Sequence, residues 1–424
     1  MSLSPASART LYLCYFGLRE PLVQTQVLPY LRQIAAAGIK VNLLTFEPDL
    51  RRDGREEEQT EQRERLMAEG IIWFCLPYHK SPSLPATLYD IVAGARFAVR
   101  MVRHEGVNVL HARAHVPMAM VLWARAFVSA KAIFDIRGLM AEEYVESGIW
   151  AEHSLPFRLV KRLERAGIRR ADQIVVLTER MRNWLVDHNL KAAEQIEVIP
   201  CCVDFARFDN GIEVQSVGED STANRRFEVV YAGSLGGLYL VEEMGRFFKS
   251  FKEYWPDGFL RILSVSPPEQ AVAALKRAGL NEHDFSIEAV SPAGVPAHLR
   301  RARLGISFRK ASFAQIAASP TKIPEYLAVG LPVVCNEGIG DMDELVERER
   351  LGVVVRDFNE KSFQTAAEQA VTLVNEVGIS ERCRRIARQL FDLHTIGGQQ
   401  YVNVYRRLEK MMASDSDTVG KGGR

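Results

Sequence analysis

The sequence lacks any apolar run near the roughly 18 residues that a membrane-crossing helix needs, and its start, MSLSPASARTLYLCYF, is without the basic, apolar, small-residue succession of an export signal. A cytoplasmic protein is expected. Charge of one sign is lacking too: 54 Lys plus Arg stand against 53 Asp plus Glu, so no global field favours nucleic acid as a partner. Cysteine is sparse, and the six residues Cys14, Cys75, Cys201, Cys202, Cys335 and Cys383 show no metal-ligand spacing and mostly lie in apolar runs. They read as small hydrophobes in a reducing compartment rather than a disulfide framework or a metal cluster. No tandem repeat with a period of roughly 20–50 residues occurs, which excludes solenoids and propellers.

What is present is 424 residues, 47% hydrophobic and 25% charged, enough for two or three globular units with ample core. Short β-rich runs (TLYLCYF, KVNLLTF, GIIWFCLP, VNVLHARA, AKAIFDIRG) alternate with helical stretches, the pattern of βαβ units on a parallel sheet covered on both faces. A polar passage from Phe205 to Arg226 reads as an interdomain linker. After it RFEVVYAGSLGGLYLVEEMGRFFKSF opens a second α/β unit, continued by FLRILSVS, FSIEAVS, LGISFRK, PVVCNEG and GVVVRD. Two such sheets are expected to face each other across a cleft.

The stretch SPTKIPEYLAVGLPVV, Ser319 to Val334, carries the chemistry. Helical spacing from Thr321 to Val329 puts Pro320 near the first turn, and Gly330 ends the helix. A helix start favours anions, and Thr321 and Lys322 add a hydroxyl and a charge there, which suits a diphosphate. Glu325, one turn on, suits the paired hydroxyls of a ribose. The bland alternative is an i,i+3 surface pair of Lys322 with Glu325. The glycine turn YAGSLGG brings Ser234, Leu235 and Gly236 close to the same place.

Taken with VIPCCVDFARF, VVYAGSLGG and NEGIGDMDELV, this stretch resembles the retaining GT-B glycosyltransferases of glycosyltransferase group 1, family four, over nearly the whole chain. The resemblance implies two Rossmann-like domains, the second holding a nucleotide sugar and the first the acceptor. Residues 1–205 would form the acceptor-side domain, 206–394 the donor domain, a helix at about 395–412 would pack back on the first domain, and 413–424 would be a disordered tail. Glu325 matches the second Glu of the family's paired-Glu signature, whereas Ala317 stands where the first belongs. The usual Arg and Lys after the first strand of the donor domain are absent too, so Lys322 is the expected diphosphate cation, with Arg309 or Lys310 as second choices.

In the first half the resemblance implies a glycine loop at Gly17, with Arg19, Glu20 and Gln24 beside it. His111, Arg113 and His115 close one strand on the acceptor side, and Glu142 follows the next. Asp135 and Arg137 replace a family His that touches the donor sugar and are taken, with Lys322, as catalytic candidates. No cofactor is expected beyond the nucleotide-sugar co-substrate, with UDP as the default nucleotide, and no metal: Asp341-Met342-Asp343 starts a helix, where Asp serves as a cap or first-turn anion.

The basic amphipathic stretch 157–172 reads as a core-packed helix with a solvated face, or as a contact with anionic lipid at the inner face of a membrane, useful to a lipid-linked acceptor. The expected activity is hexosyl transfer to a glycan or glycolipid hydroxyl, as in polysaccharide synthesis. A sugar-nucleotide epimerase and an inactive nucleotide-sugar-binding partner are the alternatives.

Overall fold

The computed structural model describes residues 7–48, 56–81, 83–209 and 226–421, with the side chains of 416–421 left aside. The chain divides into two compact units, one made of residues 1–200 with 394–424, the other of 201–393.

The first unit is built on β1 (Arg9–Cys14), β2 (Lys40–Glu47), β3 (Ile71–Pro77), β4 (Val109–Arg113), β5 (Lys131–Asp135), β6 (Gln173–Val176) and β7 (Ile196–Val198). They form a seven-stranded sheet in the order β3-β2-β1-β4-β5-β6-β7. Every pairing is parallel, for instance Leu11 opposite Leu110 and Ala112 opposite Phe134. The strands are buried almost without interruption, the consequence of helices on both faces. Gln173–Val176 and Ile196–Val198 are not among the strands expected from sequence; at four and three residues they are too short for periodicity to mark them.

The second unit has six parallel strands, β8 (Glu228–Ala232), β9 (Phe259–Leu263), β10 (Phe285–Glu288), β11 (Leu304–Ser307), β12 (Val333–Asn336) and β13 (Gly352–Val355), in the order β10-β9-β8-β11-β12-β13. One face of this sheet packs Tyr326, Leu327, Val346 and Phe391; the other packs Phe247, Phe248, Phe308 and Phe363. Chain order reverses between β8 and β11, the switch point at whose carboxyl ends open α/β sheets bind ligands.

Three sequence expectations change. The presumed linker starts later than Phe205: Phe205–Asp209 is a short helix whose Phe205 and Phe208 are buried in the second unit's core, because two aromatics four residues short of the polar stretch gain more from burial than from solvent. Most of the rest, 210–225, lies outside the described residues. The changeover between units falls at Pro200–Cys201. Finally, the last helix, Gln399–Lys421, carries its backbone through most of the expected tail; 422–424 lie outside the described residues.

Candidate functional site

The second unit's site is assembled from the loops after β8 and β11 and the helix that follows. The two loops are stitched together: Tyr239 and Arg309 form an antiparallel bridge, and the Lys310 amide donates to the Leu238 carbonyl at 2.8 Å. From β12, the buried Asn336 clamps the second loop, its Oδ1 accepting from the Arg309 amide at 2.8 Å while its Nδ2 donates to the Arg309 carbonyl at 2.9 Å.

Lys322 opens a helix of seven residues, Lys322–Ala328. Pro324, not Pro320, sits within its first turn, where the missing amide proton has no partner to lose. Gly330, in the left-handed region at φ 87°, closes it: the Gly330 amide donates to the Leu327 carbonyl and the Leu331 amide to the Tyr326 carbonyl, both at 2.9 Å, the paired bonds of a Schellman cap. So short a helix contributes little dipole, and the burden of holding an anion moves to side chains.

Lys322 is only 4% exposed, and its ammonium lies 3.8 Å from the ring centre of Tyr239 and 4.1 Å from that of Tyr231. It donates to the Tyr231 hydroxyl at 2.9 Å, which donates in turn to the Ser234 carbonyl at 2.6 Å, so the lysine braces the glycine turn. Gly233 sits at φ 143°, a conformation that favours glycine, and a Cβ there would come to 2.8 Å from Nζ. The Leu235 amide is engaged with Ser266 Oγ at 3.1 Å.

The guanidinium of Arg309 shares the Tyr239 ring at 5.3 Å, and its Nε is buried with no hydrogen-bond partner among the described residues. Burial and then Arg309 push the Lys322 amine well below its usual pKa, with Glu325 pulling the other way. Glu325 is half-buried, and burial pushes its carboxyl up to about 7 against the pull of Arg207 and Lys322.

Among the described residues no ion pair joins Lys322 to Glu325, which overturns the surface-pair reading. Thr321 is half-buried, Pro320 and Ala317 are buried, and Lys310 is exposed. Tyr231, Tyr239 and Asn336 were missed in the sequence. The two tyrosines flanking the turn in YAGSLGGLY were the available signal, since aromatics around a glycine turn can wall a cation.

Asp343 accepts from the Gly338 amide at 2.8 Å and the Glu344 amide at 2.9 Å, a first-turn anion folding its own loop. Among the described residues no group of three or more His, Cys, Asp or Glu could hold a metal ion.

In the first unit, Asp135 is wholly buried. It accepts from Tyr401 of the last helix at 2.9 Å and lies 3.5 Å from both Arg113 and Arg137. Burial would raise its pKa, but Arg137, His111 and Arg113 outweigh that and hold it well below the usual carboxylate range. His111 is wholly buried, its Nδ1 at 2.8 Å from the Tyr405 hydroxyl; burial, outweighing Asp135, pushes its pKa below the usual imidazole value. Arg113 is 3% exposed and Arg137 lies at the rim of the cluster. His115, 2% exposed, pairs with the equally buried Glu164 at 2.9 Å, and Lys161 joins Glu164 to Glu142, 2.7 Å away.

Asp135, His111 and Arg113 thus face one another and Tyr401 and Tyr405 of the last helix, whereas His115 faces Glu164, and all four side chains are buried. The Gly17 loop is folded over Glu47, whose carboxylate accepts from the Leu18 amide at 2.8 Å. Gln24 donates to the Leu18 carbonyl at 2.6 Å, and Arg19 and Glu20 are exposed, with Arg19 paired to Glu58.

Residues 23–207 match the family model described as Glycosyltransferase Family 4. Solved structures with the same fold include sucrose-phosphate synthase from Thermosynechococcus elongatus, at 14% identity and TM-score 0.67 over 95% of this chain and 99% of that one. A glycosyltransferase from Rickettsia africae matches at 12% identity and TM-score 0.67 over 96% and 99%. Anabaena HepE in complex with UDP and glucose matches at 15% identity and TM-score 0.62 over 96% and 100%. No curated protein matches by sequence. The fold is that of the GT-B glycosyltransferases: two parallel-sheet, Rossmann-like units of seven and six strands.

Proposed function

We propose that this protein is a retaining, metal-independent glycosyltransferase that moves a hexosyl group from a nucleotide sugar, UDP-linked by default, to a hydroxyl of a glycan or lipid-linked acceptor. One observation carries the reading. Lys322 and Arg309 are held against a single tyrosine ring, and among the described residues neither is in an ion pair. A buried cation and a half-buried one without a carboxylate between them are costly unless an anion arrives. A diphosphate at the carboxyl-end crevice of β8 and β11 supplies that anion, and the family match of the first unit and the UDP complex of HepE agree with it.

In this mechanism the departing diphosphate gathers charge as the glycosidic bond breaks, and Lys322 and Arg309 stabilise it; the acceptor hydroxyl then attacks the same face of the sugar. Glu325 receives the ribose hydroxyls. Because two side-chain cations balance the diphosphate, no metal is needed. Polysaccharide or glycolipid synthesis at a membrane surface fits the helix Leu155–Arg170, whose Leu155 and Leu159 are exposed beside Arg158, Arg162, Arg165 and Arg169.

Incubating the enzyme with UDP-, GDP- and ADP-sugars, with EDTA and with or without hydroxyl acceptors, tests the proposal. Acceptor-dependent release of nucleoside diphosphate with retained anomeric configuration is expected. Conversion of the donor to an epimer without acceptor, or binding without chemistry, would refute it in favour of the two alternatives.

A further inference from the structure

A second constellation lies in the first unit, beside the Gly17 loop and Glu47, whose carbonyl accepts from the Tyr78 amide at 3.0 Å, where the segments after β1 and β3 meet the helix Ser83–His104. Asp90, on that helix, is wholly buried. Its Oδ2 accepts from the Tyr15 hydroxyl at 2.7 Å and from the His79 amide at 3.1 Å; its Oδ1 lies 2.6 Å from His79 Nδ1. A carboxylate can only accept, so Nδ1 carries a ring proton, and in the neutral imidazole Nε2, across the ring, is the acceptor. The His79 side chain is 38% exposed.

One aromatic ring touches it, and others line the same segments. Tyr89, itself 63% exposed, meets the imidazole edge-on at 5.0 Å. Tyr78 lies 5.3 Å from Tyr15. Tyr144 lies against Trp150 at 4.5 Å with the rings tilted by 42°, and its phenol is raised in pKa by burial and then by the nearby Tyr78. Fixing the fold of residues 78–81 needs only the backbone amide bond to Asp90. The imidazole bond goes further: it selects one tautomer and holds the ring beside exposed aromatic faces, at the carboxyl-end edge where α/β sheets bind ligands.

We infer that this cluster is a carbohydrate-binding subsite for the acceptor, in which His79 Nε2, oriented by Asp90, accepts a hydrogen bond from a sugar hydroxyl while the ring's apolar face packs on Tyr89 and its aromatic neighbours. Hydroxyl groups supply the donors that Nε2 lacks, and the C–H face of a pyranose offers the flat apolar surface that aromatic rings cover well. The inference rests on the reading of the chain as a sugar transferase. His79 is a binding residue and Asp90 a positioning one.

The test uses the full chain and two independent readouts: thermal shift with UDP-, GDP- and ADP-sugars for the donor, and saturation-transfer NMR with methyl glycosides of glucose, galactose, mannose and N-acetylglucosamine for this subsite. In the wild type at least one glycoside is expected to receive saturation on its ring protons. His79→Ala and Tyr89→Ala, both at exposed side chains, are expected to weaken that signal at least tenfold while melting temperature and donor shift stay as in the wild type. Asp90→Asn is expected to weaken it with the fold retained. A glycoside signal absent from the wild type, or equal in wild type and His79→Ala, overturns the subsite even if the donor shift is present. A glycoside signal without any donor shift overturns the transferase reading instead, and with it the assignment of the bound sugar as acceptor.

Discussion

Lys322 is a cation kept where a cation is ill at ease. Two tyrosine faces and one hydroxyl replace its water, and neighbouring Arg309 makes matters worse. Replacing a buried charge with an apolar side chain of similar volume is often neutral or stabilising. Lys322→Met is therefore expected to leave the melting temperature unchanged or raise it, and to cut turnover about 10²- to 10³-fold through loss of diphosphate stabilisation. Turnover within threefold of wild type, measured with saturating donor, would remove Lys322 from the mechanism. Sequence alone singled out this residue, Thr321 and Glu325, because charge and hydroxyl at a strand-to-helix step are visible in the text. It did not show that Lys322 is buried, since the tyrosines that cover it precede it by many residues and reach it only through the sheet.

Among the elements, the central strands were legible because a strand buried on both faces is a short unbroken apolar run. The last two strands of the first sheet, β6 and β7, were not, since QIVV and IEV are too brief to show a period. The helix Leu155–Arg170 was legible as amphipathic, yet its packing reverses part of the expectation: Glu164 and Gly167 face inward, while Leu155 and Leu159 face out among arginines. Apolar side chains exposed on a basic helix suit an anionic bilayer surface. Flotation with phosphatidylglycerol vesicles is expected to carry the protein at low salt and to fail at about 0.5 M salt, where screening is nearly complete, and Arg158→Glu with Arg162→Glu is expected to abolish it. Equal flotation of the double variant would reduce this helix to a solvated face.

At the scale of the whole molecule, the first unit is closed by the end of the chain. Tyr401, Val404, Tyr405 and Leu408 are buried in it, the Ala8 amide donates to Glu409 at 2.8 Å, and Tyr401 supplies a hydrogen bond to Asp135. Asp135 looked like a substrate contact because the sequence places it at a strand end and says nothing of a helix far downstream that covers it. Tyr401→Phe leaves a buried carboxylate one donor short, which costs about 1–3 kcal/mol. Chemical denaturation is expected to read that loss as a lower midpoint, and an unchanged midpoint would mean that Arg113 and Arg137 suffice.

This arrangement also orders events during synthesis. Residues 201–393 are contiguous and can complete their sheet as they leave the ribosome, whereas the earlier-made first sheet must wait for its closing helix, which is translated after the whole of the second unit. Until then the surface that will receive Tyr401 and Tyr405 stays open, so a chain stopped before residue 399 carries a finished second unit and a first unit with its apolar face uncovered.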